Sequence, residues 1–198
     1  MSMSTPTVFG IYGDSDAGKT SLLVDLVSQF SKKGYLIATV KQTKKNISMD
    51  TKNKDTWRHH NAGASLVVFS SLCETDFLLH NNMSIGEVLR RISKYGDYDL
   101  ILIEGANNPT IPKIQVGKGK KRSNTVASYI GNFKEIVTLI NKELKNNSQL
   151  PQLLITVNGK VVPLTEFPRQ IIIHILLGML SSLKGVKNIN EVTIHFKQ

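Results

Sequence analysis

Residues 13–20 have the sequence GDSDAGKT, which matches the pattern G-x-x-x-x-G-K-[ST] at every fixed position. Before them, residues 8–12 form a short apolar run typical of a strand, and residues 22–30 carry apolar side chains at helical spacing. Where a glycine-rich loop joins a strand to a helix, its backbone N–H groups and the positive end of the helix attract phosphate. The sequence therefore predicts a phosphate-binding loop, called the phosphate loop below. The alternative is an ordinary glycine turn before a helix.

Two side chains of the phosphate loop have predicted tasks. Lys19 would bring its positive charge to the outer phosphates of a nucleotide, and the Thr20 hydroxyl would bind Mg²⁺. The loop also contains Asp14 and Asp16, which are unusual beside a polyphosphate because like charges repel. We expect these carboxylates to point outward, or to meet Mg²⁺ or a neighbouring lysine.

Two further polar residues follow apolar strand patterns. Glu104 comes directly after the run LILI, and Lys41 comes after residues 35–40. Ligands of open α/β sheets bind at the carboxyl ends of the strands, so both side chains are candidates for the site that contains the phosphate loop. Glu104 is the expected acidic residue near the metal. The alternatives are a strand that simply ends in a polar residue and a solvated lysine.

The order of the predicted elements indicates an α/β fold. Four apolar residues in a row at 100–103 are typical of a strand covered on both faces, as in parallel sheets with helices on each side. Ser65–Ser70 (SLVVFS) is another candidate for a buried strand, and Ser84 with Glu87 forms a capping box before a helix. Together these elements predict a doubly wound, mostly parallel sheet of the P-loop NTPase-like class.

The C-terminal part of the chain has a different pattern. Residues 146–151 (NNSQLP) have the composition of a linker, which predicts a nucleotide-binding domain at 1–146 and a small α+β extension at 151–198. The predicted order of this extension is ββαβ, with a hairpin turning at Asn158-Gly159, a helix from Thr165 to about Leu183 and a final strand at Val192–Phe196. The helix is apolar on nearly every side. We expect it to pack between the extension and either the main domain or a second copy of the chain.

The composition narrows the class of protein and of partner. The chain has 198 residues, 40% hydrophobic and 20% charged, which is enough for a core and argues against disorder. Its net charge of +10 favours an anionic partner such as a nucleotide, a nucleic acid or an acidic protein. Part of that charge lies in GKGKKR, residues 117–122, a run most often found in solvated loops. The run could contact an acidic partner, a pterin phosphate or RNA, but no aromatic residues interleave it, which disfavours nucleic acid.

Three features predict a cytoplasmic protein without a membrane segment. The single cysteine, Cys73, excludes a disulfide within the chain. The N-terminus lacks the charged and apolar pattern of a secretion signal. The most apolar stretch, Ile171–Leu180, is about half of the ~20 residues needed to span a bilayer.

Five segments, in order, resemble the molybdopterin-guanine dinucleotide biosynthesis protein B family, an adapter of molybdenum cofactor maturation. Between residues 13 and 116 they are GDSDAGKTSLL, GYLIATVK, MDTKNKDTWRHHNAGASLVV, YDLILIEG and PKIQV. The AGA at 62–64, preceded by Asp55 and Arg58, and the pair Glu104-Gly105 discriminate better than the phosphate loop, which many families share. The order of these motifs along the chain is the strongest part of the resemblance.

The resemblance implies a dimeric protein that binds GTP and Mg²⁺ and hydrolyses GTP weakly. It also implies a task, which is to assist the molybdopterin guanylyltransferase that attaches GMP to molybdopterin. By this resemblance Thr20 and Glu104 lie at Mg²⁺, while Lys41 and Asp50 line the site. The nucleotide-binding residues that it implies are Gly13, Asp14, Ser15, Asp16, Ala17, Gly18, Lys19, Thr20 and Ser21.

Two functions are compatible with these residues. The first is the adapter with slow GTP hydrolysis, in which Lys19 holds the γ-phosphate and a loop residue, Asp50 in our prediction, orients water. The second is a small-molecule or nucleoside kinase. Such kinases usually carry an arginine-rich lid, whereas residues 107–132 contain several lysines and one arginine, Arg122. This difference favours the adapter, and a basic scaffold for RNA would rest on charge alone.

Overall fold

A computed structural model describes residues 6–149 and, further along, residues 153, 155–158, 160–162, 164, 166–186, 189 and 192–194. The chain divides into two compact units. The larger unit is Pro6–Leu144, and the second contains the residues from Lys145 onward. All candidate site residues predicted above belong to the larger unit.

A five-stranded parallel sheet forms the centre of the larger unit. The elements in chain order are β1 (Thr7–Tyr12), α1 (Lys19–Ser31), β2 (Ile37–Lys41), α2 (Asp55–Asn61), β3 (Leu66–Ser70), β4 (Thr75–Leu79), α3 (Ile85–Tyr95), β5 (Leu100–Glu104), β6 (Lys113–Val116), β7 (Thr125–Tyr129) and α4 (Phe133–Gln149). The sheet has the strand order β2-β5-β1-β6-β7, and each neighbouring pair is parallel. This confirms the predicted α/β fold and places β1, which leads into the phosphate loop, in the middle strand position.

Helices cover both faces of this sheet, which explains the unbroken apolar run of β5. Leu100 and Leu102 belong to the core cluster that contains residues of α1 and α4. Ile101 and Ile103 belong to a second cluster, which contains residues of α3. The side chains of these four residues are all 0% exposed. A strand with one face exposed to solvent would alternate apolar and polar residues, and residues 100–103 of β5 show no such alternation.

Ser84 caps α3 as predicted, whereas the Glu87 side chain pairs with Arg90 and Arg91 instead of completing the capping box. The Ser84 hydroxyl accepts a hydrogen bond from the Glu87 N–H at 3.2 Å. This bond satisfies one of the N–H groups that have no partner inside the helix, so α3 begins at the following residue, Ile85.

The segment SLVVFS contains a strand as predicted, but the prediction that the strand at Ser65–Ser70 is buried is wrong, because it does not join the central sheet. β3 pairs antiparallel with β4 in a separate two-stranded sheet. The residues between the two strands close a tight turn in which the Ser71 hydroxyl accepts from the Glu74 N–H at 3.1 Å. Within β3 only Val67 is buried, and Val68 and Phe69 are almost half exposed. The partner of β3 is therefore the next strand along the chain, in a local hairpin, and not a strand of the central sheet.

The described residues of the second unit include a hairpin and a helix. β8 (Thr156–Val157) pairs antiparallel with β9 (Lys160–Val161), and Asn158 has a φ of 51°, as the predicted turn requires. The helix α5 (Glu166–Ser181) has Pro168 in its first turn. These elements confirm the ββα part of the predicted ββαβ extension.

The last predicted strand, Val192–Phe196, is not found where the structure describes it. Residues 192–194 have no regular secondary structure, while residues 195 and 196, like the predicted cap Thr165, lie outside the described residues. Among the helices of the described residues, none has the length and apolar character needed to cross a membrane.

Candidate functional site

The phosphate loop joins β1 directly to α1. Gly18 has a φ of +90°, a left-handed conformation that glycine adopts without strain, and α1 begins at the next residue, Lys19. The Lys19 ammonium donates to the backbone carbonyl of Asp14. The first turn of α1, which is described in full, contains no acidic residue. No carboxylate of this turn therefore competes with an anion for the positive end of the helix.

The two acidic residues of the phosphate loop are exposed. Asp16 has a φ of 57°, and both Asp14 and Asp16 lie at exposed positions. Solvent screens the repulsion between an exposed carboxylate and a phosphate. The loop can therefore present its backbone N–H groups to an anion in spite of these two charges.

Three predicted site residues meet at one carboxylate oxygen, Glu104 Oε1. The Thr20 hydroxyl donates to it at 3.1 Å, and the Lys41 ammonium donates to the same atom and forms an ion pair with it. The sheet register explains this meeting, because Glu104 pairs with Lys41 of β2 on one side and with Ile11 of β1 on the other. The side chain of Glu104 is 8% exposed and that of Lys41 is 65% exposed. We call Thr20, Lys41 and Glu104 the Glu104 cluster.

The Glu104 cluster fits Mg²⁺. This ion prefers oxygen ligands at 2.0–2.1 Å, so two adjacent ligands of an octahedral ion lie about 2.9 Å apart. The Thr20 hydroxyl and the Glu104 carboxylate provide two oxygens at a similar separation, 3.1 Å, beside the phosphate loop. The ammonium of Lys41 occupies the position of a counter-cation, and its exposed side chain is free to move away.

The hydrogen bonds of Asp50 lie outside this cluster. Its Oδ1 accepts from the Thr56 hydroxyl at 2.8 Å, and its N–H donates to the Ser48 hydroxyl at 3.0 Å. Asp50 Oδ2 and Gln42 Oε1 are buried and have no hydrogen-bond partner among the described residues. A buried acceptor without a donor costs about 1–3 kcal/mol, so both oxygens are candidates to accept from a water or a ligand.

The basic run 117–122, called the lysine loop below, is tied to the end of β1. The Arg122 N–H donates to the Tyr12 hydroxyl at 2.9 Å, and the Arg122 guanidinium lies 4.6 Å from the centre of the Tyr12 ring. Its Nη1 donates to the Ala106 carbonyl at 2.9 Å. Arg122 lies at an exposed position, as expected of a solvated loop, but it also makes these contacts within the chain. Tyr12 gave no signal of this role, since a tyrosine at a strand end is common.

Lys113, in β6, is a buried cation that the sequence analysis did not identify. Its side chain is fully buried, and its ammonium donates to the carbonyls of Asn108 and Ile111 at 2.6 and 2.7 Å. These two bonds hold the connection between β5 and β6. Burial, and secondarily the positive charge of Arg122, lower the pKa of Lys113.

Lys113→Met should change how stability depends on alkaline pH. Because its pKa is lowered on folding, Lys113 loses its proton at a lower pH in the folded chain than in the unfolded chain, where the pKa is 10.5. Between the two pKa values the unfolded chain binds more protons, so this group makes the free energy of unfolding rise with pH. Urea unfolding measured over a series of alkaline pH values up to 10.5 should lose that contribution in Lys113→Met. Lys142→Met, at an exposed position of α4, is the control and should keep the wild-type profile. Identical pH profiles of Lys113→Met and wild type would contradict the prediction.

Comparison with known proteins adds the family. The model of the family described as MobB, molybdopterin guanine dinucleotide synthesis protein B, matches residues 8–142. A putative molybdopterin-guanine dinucleotide biosynthesis adapter protein of Methanocaldococcus jannaschii is 26% identical, over 94% of this chain and 96% of the relative. A molybdopterin-guanine dinucleotide biosynthesis adapter protein of Haemophilus influenzae is 29% identical, over 54% of this chain and 61% of the relative.

Solved structures with the same fold include MobB of Bacillus subtilis and a MobB homologue of Bacillus stearothermophilus. The first has a TM-score of 0.57 at 18% identity and covers 70% of this chain and 96% of its own. The second has a TM-score of 0.51 at 16% identity and covers 73% of this chain and 99% of its own. The family match extends from β1 into α4 and includes the phosphate loop and the Glu104 cluster. Because it spans more than half of the chain, this protein belongs to the molybdopterin guanine dinucleotide synthesis protein B family.

Proposed function

We propose that this protein binds GTP with Mg²⁺, hydrolyses GTP slowly, and acts as an adapter in the guanylylation of molybdopterin. The observation that carries the proposal is the hydrogen bond from Thr20, at the end of the phosphate loop, to Glu104, at the end of the neighbouring strand. This pair combines an anion cradle with two oxygen ligands for a divalent ion. Membership of the family and the adapter names of the relatives support the cellular task.

Nucleotide binding would use groups of the phosphate loop and of the Glu104 cluster. The Lys19 ammonium, which bonds to the Asp14 carbonyl, would turn to the outer phosphates. Backbone N–H groups of residues 13–21 would surround the phosphates, and Lys41 would release Glu104. Bound Mg²⁺ supplies positive charge at the outer phosphates, held by Thr20 and Glu104.

The contacts of Arg58 and Arg122 support the proposal that hydrolysis is slow. Phosphoryl transfer is catalysed by positioning and charge stabilisation, and an arginine that reaches the transferred phosphate adds about 10³–10⁵ to the rate. Arg122 is held by Ala106 and Tyr12, and Arg58 pairs with Asp55 at 3.7 Å on an exposed helix surface. Of the three cations Lys19, Arg58 and Arg122, we therefore expect Lys19 to be the catalytic one. Asp50, through its unpartnered Oδ2, is the residue that we expect to orient water.

Asp50→Asn tests this assignment. An amide keeps the size and the bond from Thr56 but loses the negative charge that orients water, so GTP hydrolysis should fall about tenfold or more. The affinity for GTP should stay within about threefold of wild type. The measurement is single-turnover phosphate release at saturating GTP and Mg²⁺. Unchanged hydrolysis would remove Asp50 from the mechanism.

The proposed partners are the molybdopterin guanylyltransferase, molybdopterin itself and a second copy of this chain, in the cytoplasm. Support for a homodimer comes from α5, where Ile171, Ile175 and Met179 follow one another at helical spacing and are 42–63% exposed. The exposed free thiol of Cys73 suits a reducing compartment. Co-purification of the guanylyltransferase with the full chain would test the adapter role directly.

Titration with GTP and ATP, each with Mg²⁺, tests the nucleotide. Calorimetry should give one site per chain, with GTP bound more tightly than ATP. A strong preference for ATP would favour the kinase alternative. Absence of heat with both nucleotides would overturn the proposal that this protein is a nucleotide-dependent adapter.

Glu104→Gln should reduce the effect of Mg²⁺ on nucleotide affinity by about tenfold. The amide keeps the shape of the side chain but loses the charge that attracts the ion. The expected result is near-wild-type binding of GTP in EDTA and a weaker gain when Mg²⁺ is added. Glu143→Gln, a partly exposed carboxylate change on α4, is the matched control and should keep the full Mg²⁺ effect. Equal Mg²⁺ effects in the two variants would place the ion elsewhere.

A further inference from the structure

We infer that the lysine loop is part of the nucleotide site, where Lys118 and Lys120 bind the phosphates of the nucleotide. The two lysines line one cleft together with Gly13 and Asp14 of the phosphate loop. The inference rests on the proposed function and deepens it, because it adds phosphate-binding side chains from a second loop. Neither the phosphate-loop motif nor the Glu104 cluster includes these lysines.

Two close main-chain approaches place the start of the lysine loop against the phosphate loop. A Cβ on Gly13 would lie 2.5 Å from the carbonyl oxygen of Val116, the last residue of β6. A Cβ on Gly117 would lie 3.9 Å from the Cβ of Ala17, an ordinary van der Waals distance. The sheet explains both approaches, because β6 pairs in parallel with β1 and the two strands end at the same edge. Residues 117–122 therefore leave the sheet beside the phosphate loop.

The site described so far contains more carboxylates than ammoniums. The carboxylates are those of Asp14, Asp16 and Glu104, and the ammoniums are those of Lys19 and Lys41. Water screens exposed carboxylates in the free protein, but a nucleotide that covers them displaces part of that water and strengthens their repulsion of its phosphates. Further cations beside Asp14 would offset this repulsion.

The lysine loop supplies such cations. Lys118, Lys120 and Lys121 are exposed, and no ion pair joins any of them to a carboxylate within the part of the chain that the structure describes. Of the three, Lys118 and Lys120 line the cleft that contains Asp14. An ammonium has N–H donors and no acceptor, which suits the oxygens of a phosphate. The two lysines can therefore offset the charge of Asp14 and bind phosphate in the same cleft.

The two lysines extend from a loop whose ends are held by hydrogen bonds. At its start, the Gly117 N–H donates to the Tyr129 carbonyl at 3.0 Å. At its end, the Arg122 N–H donates to the Tyr12 hydroxyl at 2.9 Å, and the Arg122 carbonyl accepts from the Thr125 hydroxyl at 2.6 Å. Holding both ends lowers the entropy cost of gathering the lysines around a ligand.

The test is calorimetry of the full chain with Mg²⁺-GTP. Lys118→Gln with Lys120→Gln, called the glutamine pair, removes two charges and their N–H donors and should weaken binding at least about tenfold. Lys118→Arg with Lys120→Arg, the arginine pair, keeps charge and donors and should stay within about threefold of wild type. Lys134→Gln with Lys142→Gln, the control pair, removes the same charge from exposed positions of α4 and should stay within about twofold.

Inorganic tripolyphosphate with Mg²⁺ separates this inference from the proposed function. If the lysines contact phosphates, the glutamine pair should weaken tripolyphosphate binding by about the same factor as GTP binding. A chain that binds tripolyphosphate through these lysines but does not bind GTP would support the lysine contacts while overturning the proposed nucleotide function. Wild-type GTP affinity in the glutamine pair, with loss of binding in Lys19→Ala, would overturn the lysine contacts and leave the proposed function standing.

Three other results would overturn the lysine contacts. Equal GTP affinities of the glutamine pair and the control pair would show only a general effect of charge. Equally weak binding by the arginine pair and the glutamine pair would attribute the loss to the shape of the loop. Weaker GTP binding with unchanged tripolyphosphate binding in the glutamine pair would place the lysines at the base or the ribose.

Discussion

Lys19→Ala is expected to weaken GTP binding by about 100-fold or more and to abolish hydrolysis. A hydrogen bond to a charged group contributes about 1.5–3 kcal/mol, and the ammonium would make two such bonds to the outer phosphates. The sum, about 3 kcal/mol or more, corresponds to at least about 100-fold in affinity. In the free protein Lys19 makes one exposed bond, to the Asp14 carbonyl. The fold should therefore tolerate the change, and calorimetry with Mg²⁺-GTP measures the effect.

Lys32→Ala is the matched control for this experiment. Lys32 is an exposed residue at the other end of α1, so the substitution removes the same charge far from the phosphate loop. It should leave GTP affinity within about twofold. Circular dichroism and the urea midpoint should be the same for both variants. Unchanged GTP affinity in Lys19→Ala would place the nucleotide outside the phosphate loop.

Gly105→Ala is expected to lower the free energy of unfolding by about 3 kcal/mol and to weaken the Glu104 cluster. Gly105 has a φ of +84°, where alanine costs about 1–2 kcal/mol. A Cβ there would also lie 2.2 Å from the Gln42 carbonyl oxygen, a contact that must open by moving backbone. The Gln42 N–H donates to the Glu104 carbonyl at 2.8 Å, so this movement would separate β2 from β5 beside Lys41 and Glu104.

Gly131→Ala separates the two causes. Gly131 has a φ of +110°, and a Cβ there would meet no heavy atom within 4 Å. Its substitution should cost only the backbone term, about 1–2 kcal/mol. Urea unfolding of both variants measures the difference. Equal losses would mean that Gln42 moves without cost and would contradict the steric argument.

The sequence predicted the fold and the site correctly where one local pattern determined both the secondary structure and the position of a functional residue. The fixed residues of the phosphate loop predicted the strand, the turn and the start of α1. The run LILI predicted a strand covered on both faces, and the residue after it, Glu104, was predicted to lie at the carboxyl edge of the sheet. The structure brings Glu104, Thr20 and Lys41 together because parallel strands end at one edge and the register aligns Lys41 with Glu104. Residue type and strand order were sufficient for this cluster.

The features that the sequence missed depend on which groups pair with each other in the folded chain. SLVVFS has the composition of a buried strand, but its partner is the next strand along the chain, and periodicity does not identify a partner. Lys113 lies in a buried strand, and its ammonium is satisfied by carbonyls two and five residues before it. Arg122 is anchored by Tyr12, more than a hundred residues earlier. Residue type alone does not distinguish the buried Lys113, or the anchored Arg122, from lysines and arginines that contact only water.

Tyr12 and Gly13 occupy adjacent positions but contact different parts of the binding surface. The Tyr12 hydroxyl accepts from Arg122, and a Cβ on Gly13 would lie 2.5 Å from the Val116 carbonyl oxygen, just before the lysine loop. A displacement of the phosphate loop by a triphosphate would therefore move the main chain at the start of the lysine loop. Thermodynamic linkage makes such an effect reciprocal, so a contact of the lysine loop with a partner would change the affinity for the triphosphate by the same factor by which the triphosphate changes the affinity for that partner.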